Sequence, residues 1–222
     1  MNIKAVYGLC LTNKTVYRYM KLNQIQSICR RKTKRYPKPS DHEIPNLLQR
    51  NFNTDAPNMK WSIDISYIFC RDGLQYLCAI KDMYDKSIVS WQLSTFIDLK
   101  LVMDTLNDAI EKVPYEQREE LILHSDQGWH FTHQVYQQTL LDNNITQSIS
   151  HKGSSVDNAP IESFFAILKT ECIYLDKNLY MKNLDFIITE YIYYYNNNRL
   201  QEKIKELAPL IFREQALMCL FY

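Results

Sequence analysis

The chain has 222 residues, 46% hydrophobic and 13% aromatic, which suits one sizeable core and excludes a disordered chain. Its four glycines leave little room for a glycine-rich phosphate loop, and no apolar run approaches the ~20 residues of a membrane span. The net charge of +1 hides a lopsided distribution: the first 40 residues hold ten Lys/Arg and no Asp/Glu, leaving 16 basic against 25 acidic residues in the rest.

The opening residues, "MNIKAVYGLC", carry no signal-peptide h-region. Residues 12–22, "TNKTVYRYMKL", predict a helix with Val16, Tyr17, Met20 and Leu22 on one face. "RRKTKRYPKPSDHEIPN" has three prolines and no periodicity, so it reads as a linker or arm. Its cations Arg30, Arg31, Lys32, Lys34 and Arg35, interleaved with an aromatic ring, point to a polyanion, with nucleic acid favoured over a solvated tail. The division expected is therefore 1–54, a short basic helical segment with its arm, and 55–222, a compact domain.

"KWSIDISYIFC" alternates, with Trp61, Ile63, Ile65, Tyr67 and Phe69 on one face and Ser62, Asp64 and Ser66 on the other, and predicts a strand. "DGLQYLCAIKD" and "KSIVSWQLS" predict two more, and short connections make the three an antiparallel meander. A helix over 98–112, a short strand "LILHSD", a helix in "THQVYQQTLLDNN" and a short strand "ITQSIS" follow. In "DNAPIESFFAILKTE", Asp157 or Asn158 can cap a helix whose first turn tolerates Pro160. Ile161, Phe164, Phe165, Leu168 and Cys172 form its apolar stripe, with Glu162, Ala166 and Lys169 opposite. "NLDFIITEYIYYYNNNR" predicts a last, aromatic-rich helix, packed into the core more than offered for stacking. The order βββαβαβαα indicates an α/β fold with helices over a mixed sheet.

Three carboxylates stand out. Asp64 lies mid-strand on a face that Ile68 and Cys70 also mark as partly buried, which is costly for a carboxylate without a partner. Asp126 follows a strand at its carboxyl end, where α/β sheets place ligands. Glu162 opens a helix, where an acid can also serve the helix dipole alone. If the three converge, their hard oxygens suit Mg²⁺ or Mn²⁺, and two such ions can clamp a phosphodiester in reaction. If they do not, each is a surface or turn residue. His124 and Trp129 flank Asp126 in structural or DNA-contacting roles. His130, His133 and His151 are too dispersed for a zinc triad and are expected at the surface. The six cysteines form no C-x-x-C pair and are expected as reduced, mostly buried thiols of a cytosolic protein.

Asp64, Asp126 and Glu162, the last two separated by 35 residues, resemble the DDE core of retroviral-integrase-like transposases. The flanking words "WSIDISYI", "HSDQGWHFTHQVY", "SISHKGSSVDNAPIESFFAILKTE" and "YYNNNRLQEKIKELAPLIFREQA" resemble the second-frame transposases of a bacterial insertion-sequence group, over roughly residues 6–216. "YGLCLTNKTVYRYMKLN" is similar to the tail of that group's helix-turn-helix segment. The resemblance implies a ribonuclease-H-like α/β fold with a five-stranded mixed sheet. It also implies metal-dependent strand cleavage and strand transfer at element ends, with Asp64, Asp126 and Glu162 both catalytic and metal-binding, and two Mg²⁺ or Mn²⁺ ions. DNA is the implied partner, met by Lys169, by Lys152 and Asn158 of the polar loop before the helix, and by the arm. A homo-oligomer on DNA, an upstream-frame product as a further partner and a bacterial cytoplasmic, nucleoid-associated location are implied too. Members of the group carry more sequence ahead of the position of Met1, so an N-terminal truncation is expected. The chain departs from the usual pattern with Ile204, Glu206 and Ala208 where Leu, Gly and Ser are more common. Two alternatives stay open: a structure-specific or RNA–DNA nuclease on the same core, and a degenerate DNA-binding remnant.

Overall fold

The computed structural model describes residues 11–25, 44–151, 157–176 and 178–218, in two compact units, 1–34 and 35–222. In the first unit, helix α1 (Asn13–Leu22) starts at Thr12, whose hydroxyl accepts from the Thr15 N–H, and ends beside Lys21, a cation placed well for the helix dipole. The face expected of it is only half covered. Val16 and Met20 are partly buried, while Tyr17 and Leu22 are exposed.

The second unit is built on five strands, β1 (Lys60–Cys70), β2 (Gly73–Asp82), β3 (Ile88–Ser94), β4 (Ile122–Ser125) and β5 (Thr146–Ile149), in the order β3-β2-β1-β4-β5. The first three form an antiparallel meander; β4 and β5 run parallel to β1. Helix α2 (Leu99–Glu111) connects β3 to β4, capped by Asp98, and α3 (Gln134–Asp142) connects β4 to β5. Then follow α4 (Ala159–Glu171), α5 (Met181–Asn197) and α6 (Pro209–Met218). The last was not expected. Pro209 opens it, but its apolar residues follow no clear helical period, and Pro209 alone is buried.

The alternation in β1 puts one core on each side of the sheet. Trp61 and Ile63 pack with Cys78, Ile80, Leu101, Leu106 and Tyr136 on one side. Ile68, Leu77 and Ala79 pack with Ile161, Phe164 and Leu168 of α4 and Leu184, Ile188 and Tyr195 of α5 on the other. Asp64, opposite Ala79 in the register, shares this second face and is half-buried there. Tyr191 and Tyr195 of the aromatic run are core, whereas Tyr193 and Tyr194 are exposed. No helix among the described residues is long and apolar enough to cross a membrane.

Two departures have local causes. Residues 44–54 fall where a linker was expected, yet Leu48 is buried and the Pro45 carbonyl accepts from Ile149 N–H, capping the edge of β5. Lys205 and Glu206 both have left-handed backbones, with φ of 58° and 59°. That is the conformation glycine holds without strain, so the glycine expected at 206 has a conformational reason.

Candidate active site

Asp64 is set by the strand. Its Oδ1 accepts from the Ile65 N–H at 2.7 Å. Burial, reinforced by the charges of Asp126 and then Glu162, pushes its carboxyl up to about 8; the Ile65 N–H and the Lys169 ammonium pull the other way. The fold thus brings Asp64, Asp126, Glu162 and Lys169 into one electrostatic neighbourhood. It does not draw them into a finished ligand cage: among the described residues no three His, Cys, Asp or Glu are gathered tightly enough to hold an ion.

Asp126 is exposed, one residue past β4, and its Oδ1 accepts from the Gly128 N–H at 2.8 Å. A Cβ at Gly128 would come within 3.0 Å of that oxygen, so glycine keeps the turn open for the carboxylate. Glu162 is exposed in the first turn of α4, on the face opposite the buried stripe. Lys169 lies on the same face and is half-buried.

The start of α4 corrects the expected cap. Asn158, which stands at the cap position, does not cap the helix with its side chain. Asn158, only 3% exposed, instead donates from Nδ2 to the Ile63 carbonyl, next to Asp64, at 3.3 Å. Its Oδ1 is buried without a hydrogen-bond partner among the described residues. Asp157, 2% exposed, accepts from Asn46 Nδ2 at 2.9 Å and Arg50 Nε at 3.1 Å. Lys81 of β2, also buried, donates to the Pro160 carbonyl at 3.1 Å and lies over the Tyr195 ring; burial first, then neighbouring cations, pulls it down to about 7. Sequence reasoning missed Lys81, Asn46 and Arg50. A lysine in a strand interior was a weak signal for the first, and nothing local marked the other two.

His124 is structural. Buried in β4, it bonds Ser148 Oγ through Nδ1 at 2.8 Å and Ser150 Oγ through Nε2 at 2.9 Å, and burial pulls it down to about 4, against Asp157. It is therefore a neutral ring with one donor and one acceptor. His130, expected at the surface, is buried. Trp129, 55% exposed, stacks over it at 3.9 Å between ring centroids, and its Nε2 reaches the Ile97 carbonyl at 3.4 Å. His133 is half-buried and caps α3 through Nδ1; His151 is exposed. Cys78 is buried, Cys70 and Cys172 are partly so, and all three are free thiols. Lys152, Arg30, Arg31, Lys32, Lys34 and Arg35 lie outside the described residues.

The donor set fits a hard divalent cation. It offers carboxylate oxygens, one of them desolvated and raised by its acidic neighbours, with Asn158 anchored on the carbonyl of the residue before Asp64.

The family described as Integrase core domain matches residues 54–155, and a second family of the same description matches residues 162–217. An uncharacterized transposase-like protein of Haemophilus influenzae is 36% identical over 98% of this chain and its own full length. The transposase InsK for insertion sequence element IS150 of Escherichia coli is 36% identical over 95% of this chain and 74% of its own. The catalytic core domain of BIV integrase superposes with a TM-score of 0.57 at 13% identity, over 74% of this chain and 99% of that domain, and so shares the fold. With a ribonuclease-H-like sheet and matches along nearly its whole length, the chain belongs to the integrase-core family of insertion-element DNA transposases, enzymes of the polynucleotidyl transferase type.

Proposed function

We propose that this chain cuts and joins DNA at the ends of an insertion element with Asp64, Asp126 and Glu162 as its catalytic carboxylates. The observation that carries the proposal is the state of Asp64: a carboxylate in the middle of a two-sided sheet, desolvated and pressed by two further acids. Such an arrangement is costly by itself and is repaid by a bound cation. Asp64, Asp126 and Glu162 would hold Mg²⁺ or Mn²⁺. When bound, two such ions would supply activation of the attacking water or 3′-hydroxyl and stabilisation of the leaving 3′-oxygen.

The protein's own groups do the rest. The strand fixes Asp64, the turn after β4 presents Asp126, and the first turn of α4 carries Glu162. Lys169, on the same helix face as Glu162, meets a DNA phosphate or base edge near the scissile bond. Asn158, held on the Ile63 carbonyl, keeps its free amide oxygen for a donor from DNA or from an ordered water. Lys152 and the cations Arg30, Arg31, Lys32, Lys34 and Arg35 supply salt-dependent affinity for the phosphate backbone. The chain works as a homo-oligomer that brings two element ends together. No side-chain nucleophile is required, so no covalent protein–DNA intermediate forms.

The test is incubation of the purified chain with labelled end DNA and Mg²⁺. The expected products are a nick at the element terminus and joined strands that incorporate the freed 3′-hydroxyl. Hydrolysis without joining would favour the nuclease reading, and binding without cleavage the degenerate remnant.

A further inference from the structure

The turn at 46–50 meets β5, the neighbour of β4, and the residues just before α4. On one side, Leu47 N–H donates to Ser148 Oγ at 3.0 Å, and the same hydroxyl holds the His124 ring, two residues before Asp126. On the other, Asn46 and Arg50 both bind Asp157, five residues before Glu162. Asn46 is itself committed, because its Oδ1 accepts from the Gln49 N–H at 3.0 Å. Gln49 and Arg50 have left-handed backbones, with φ of 45° and 67°. Non-glycine residues hold that conformation at a cost, and two in succession persist only where the surroundings fix them. Asp157 and Asn158 have the residue types for a cap; Asn158 makes no side-chain cap bond, and both side chains make contacts across the fold. The helix start has thus forgone a local stabilisation in favour of contacts that fix where it points.

We infer that Asn46, Arg50 and Asp157 form a clasp of positioning residues that sets Glu162 at the start of α4 against Asp126 at the end of β4. The inference rests on the reading of Glu162 as a catalytic carboxylate. Its chemistry is directional. Asn46 Nδ2 and Arg50 Nε both donate to the Asp157 carboxylate, while Asn46 Oδ1 is engaged by Gln49. Asp157→Asn turns an amide N–H₂ toward the Asn46 donor, and Asn46→Asp sets two carboxylates face to face. The double exchange, Asn46→Asp with Asp157→Asn, reverses the donor and acceptor and keeps all three bonds: Asn at 157 donates to Asp at 46 and still accepts from Arg50.

The test uses the full chain in four forms: each single variant, the exchange, and Arg50→Met, a milder change because the Arg50 side chain is mostly exposed. Two quantities are measured, steady-state cleavage of end DNA, as kcat and KM, and amide hydrogen exchange over residues 157–168. Each single variant should lower kcat by about tenfold or more, with KM changed less than about twofold, because a misplaced catalytic group costs turnover and not binding. Exchange at the start of α4 should accelerate in both, while β1 and β2 stay protected. The exchange variant should recover most of both, and Arg50→Met should shift both in the same direction by less. The inference is overturned if folded single variants keep wild-type kcat, or if the double exchange folds and recovers nothing. Where a single variant fails to fold, the exchange and Arg50→Met decide. Glu162→Gln separates the two readings, since it should remove cleavage with no change in exchange over 157–168. If Glu162→Gln retains turnover, the catalytic reading fails whatever the clasp does.

Discussion

Glu162→Gln should lower single-turnover cleavage of end DNA by about 10³-fold or more and leave DNA binding nearly intact. The substitution keeps the size and hydrogen-bonding reach of the side chain and removes its charge. A carboxylate placed only for the helix dipole would give a different result, because losing it costs at most about 1 kcal/mol of stability and nothing in turnover. Stability should hardly move, since Glu162 is exposed and its charge is one of those pressing on Asp64. Thermal melting and filter binding on the same preparation separate these outcomes. Wild-type turnover in Mg²⁺ would make the first turn of α4 a packing element and no more.

Arg213→Met should give the largest loss of stability, about 3–5 kcal/mol at neutral pH, because it leaves buried carboxylates without their cation. Asp82 ends β2 and Asp85 lies in the turn after it; both are fully buried, and the Arg213 guanidinium of α6 donates to both, from Nη2 to Asp82 at 2.8 Å and from Nε to Asp85. Asp82 also accepts from the Asn58 and Tyr84 N–H groups, and Asp85 from that of Ser87, so neither can turn away. Burial and then Asp85 already raise the Asp82 carboxyl, with Arg213 holding it down. A carboxyl raised in the folded state contributes stability that is present below its unfolded value and lost as pH rises through the folded one. Removing Arg213 raises Asp82 further, so the gap between wild type and variant should widen as pH rises from about 5 to about 8. Denaturant unfolding at both pH values measures this. A small, pH-independent loss would mean that the carboxylates find another partner.

Particular residues show how far this fold and site were legible in the sequence. The alternation in "KWSIDISYIFC" revealed both a strand and its two-sided burial, because Trp61 and Ile63 mark one core and Ile68 the other. The stripe of α4 was equally readable, since Ile161, Phe164, Phe165 and Leu168 repeat at the helical period. What escaped was whatever depends on partners remote in the chain. Asp157 and Asn158 carry a strong local signal for capping, but partners at 46, 50 and 63 outcompete it. His130 is polar and was expected at the surface, yet Trp129 covers it and takes the exposure instead. Residues 44–54 lie close to a proline-rich, cationic run that reads as a linker. Their burial depends on β5 and Asp157, about 100 residues away, and no periodicity reports that. The carboxylates were found by type and spacing. Their mutual pressure on Asp64 is visible only in three dimensions.

The central claim, that Asp64, Asp126 and Glu162 serve one metal site, is tested most directly by anomalous diffraction from crystals of the chain soaked in Mn²⁺. The account predicts anomalous density in contact with the carboxylates of Asp64 and Asp126, with Glu162 drawn into the same site when end DNA is bound. Crystals that take up Mn²⁺ elsewhere while Asp64 and Asp126 stay apart and free of metal would contradict it.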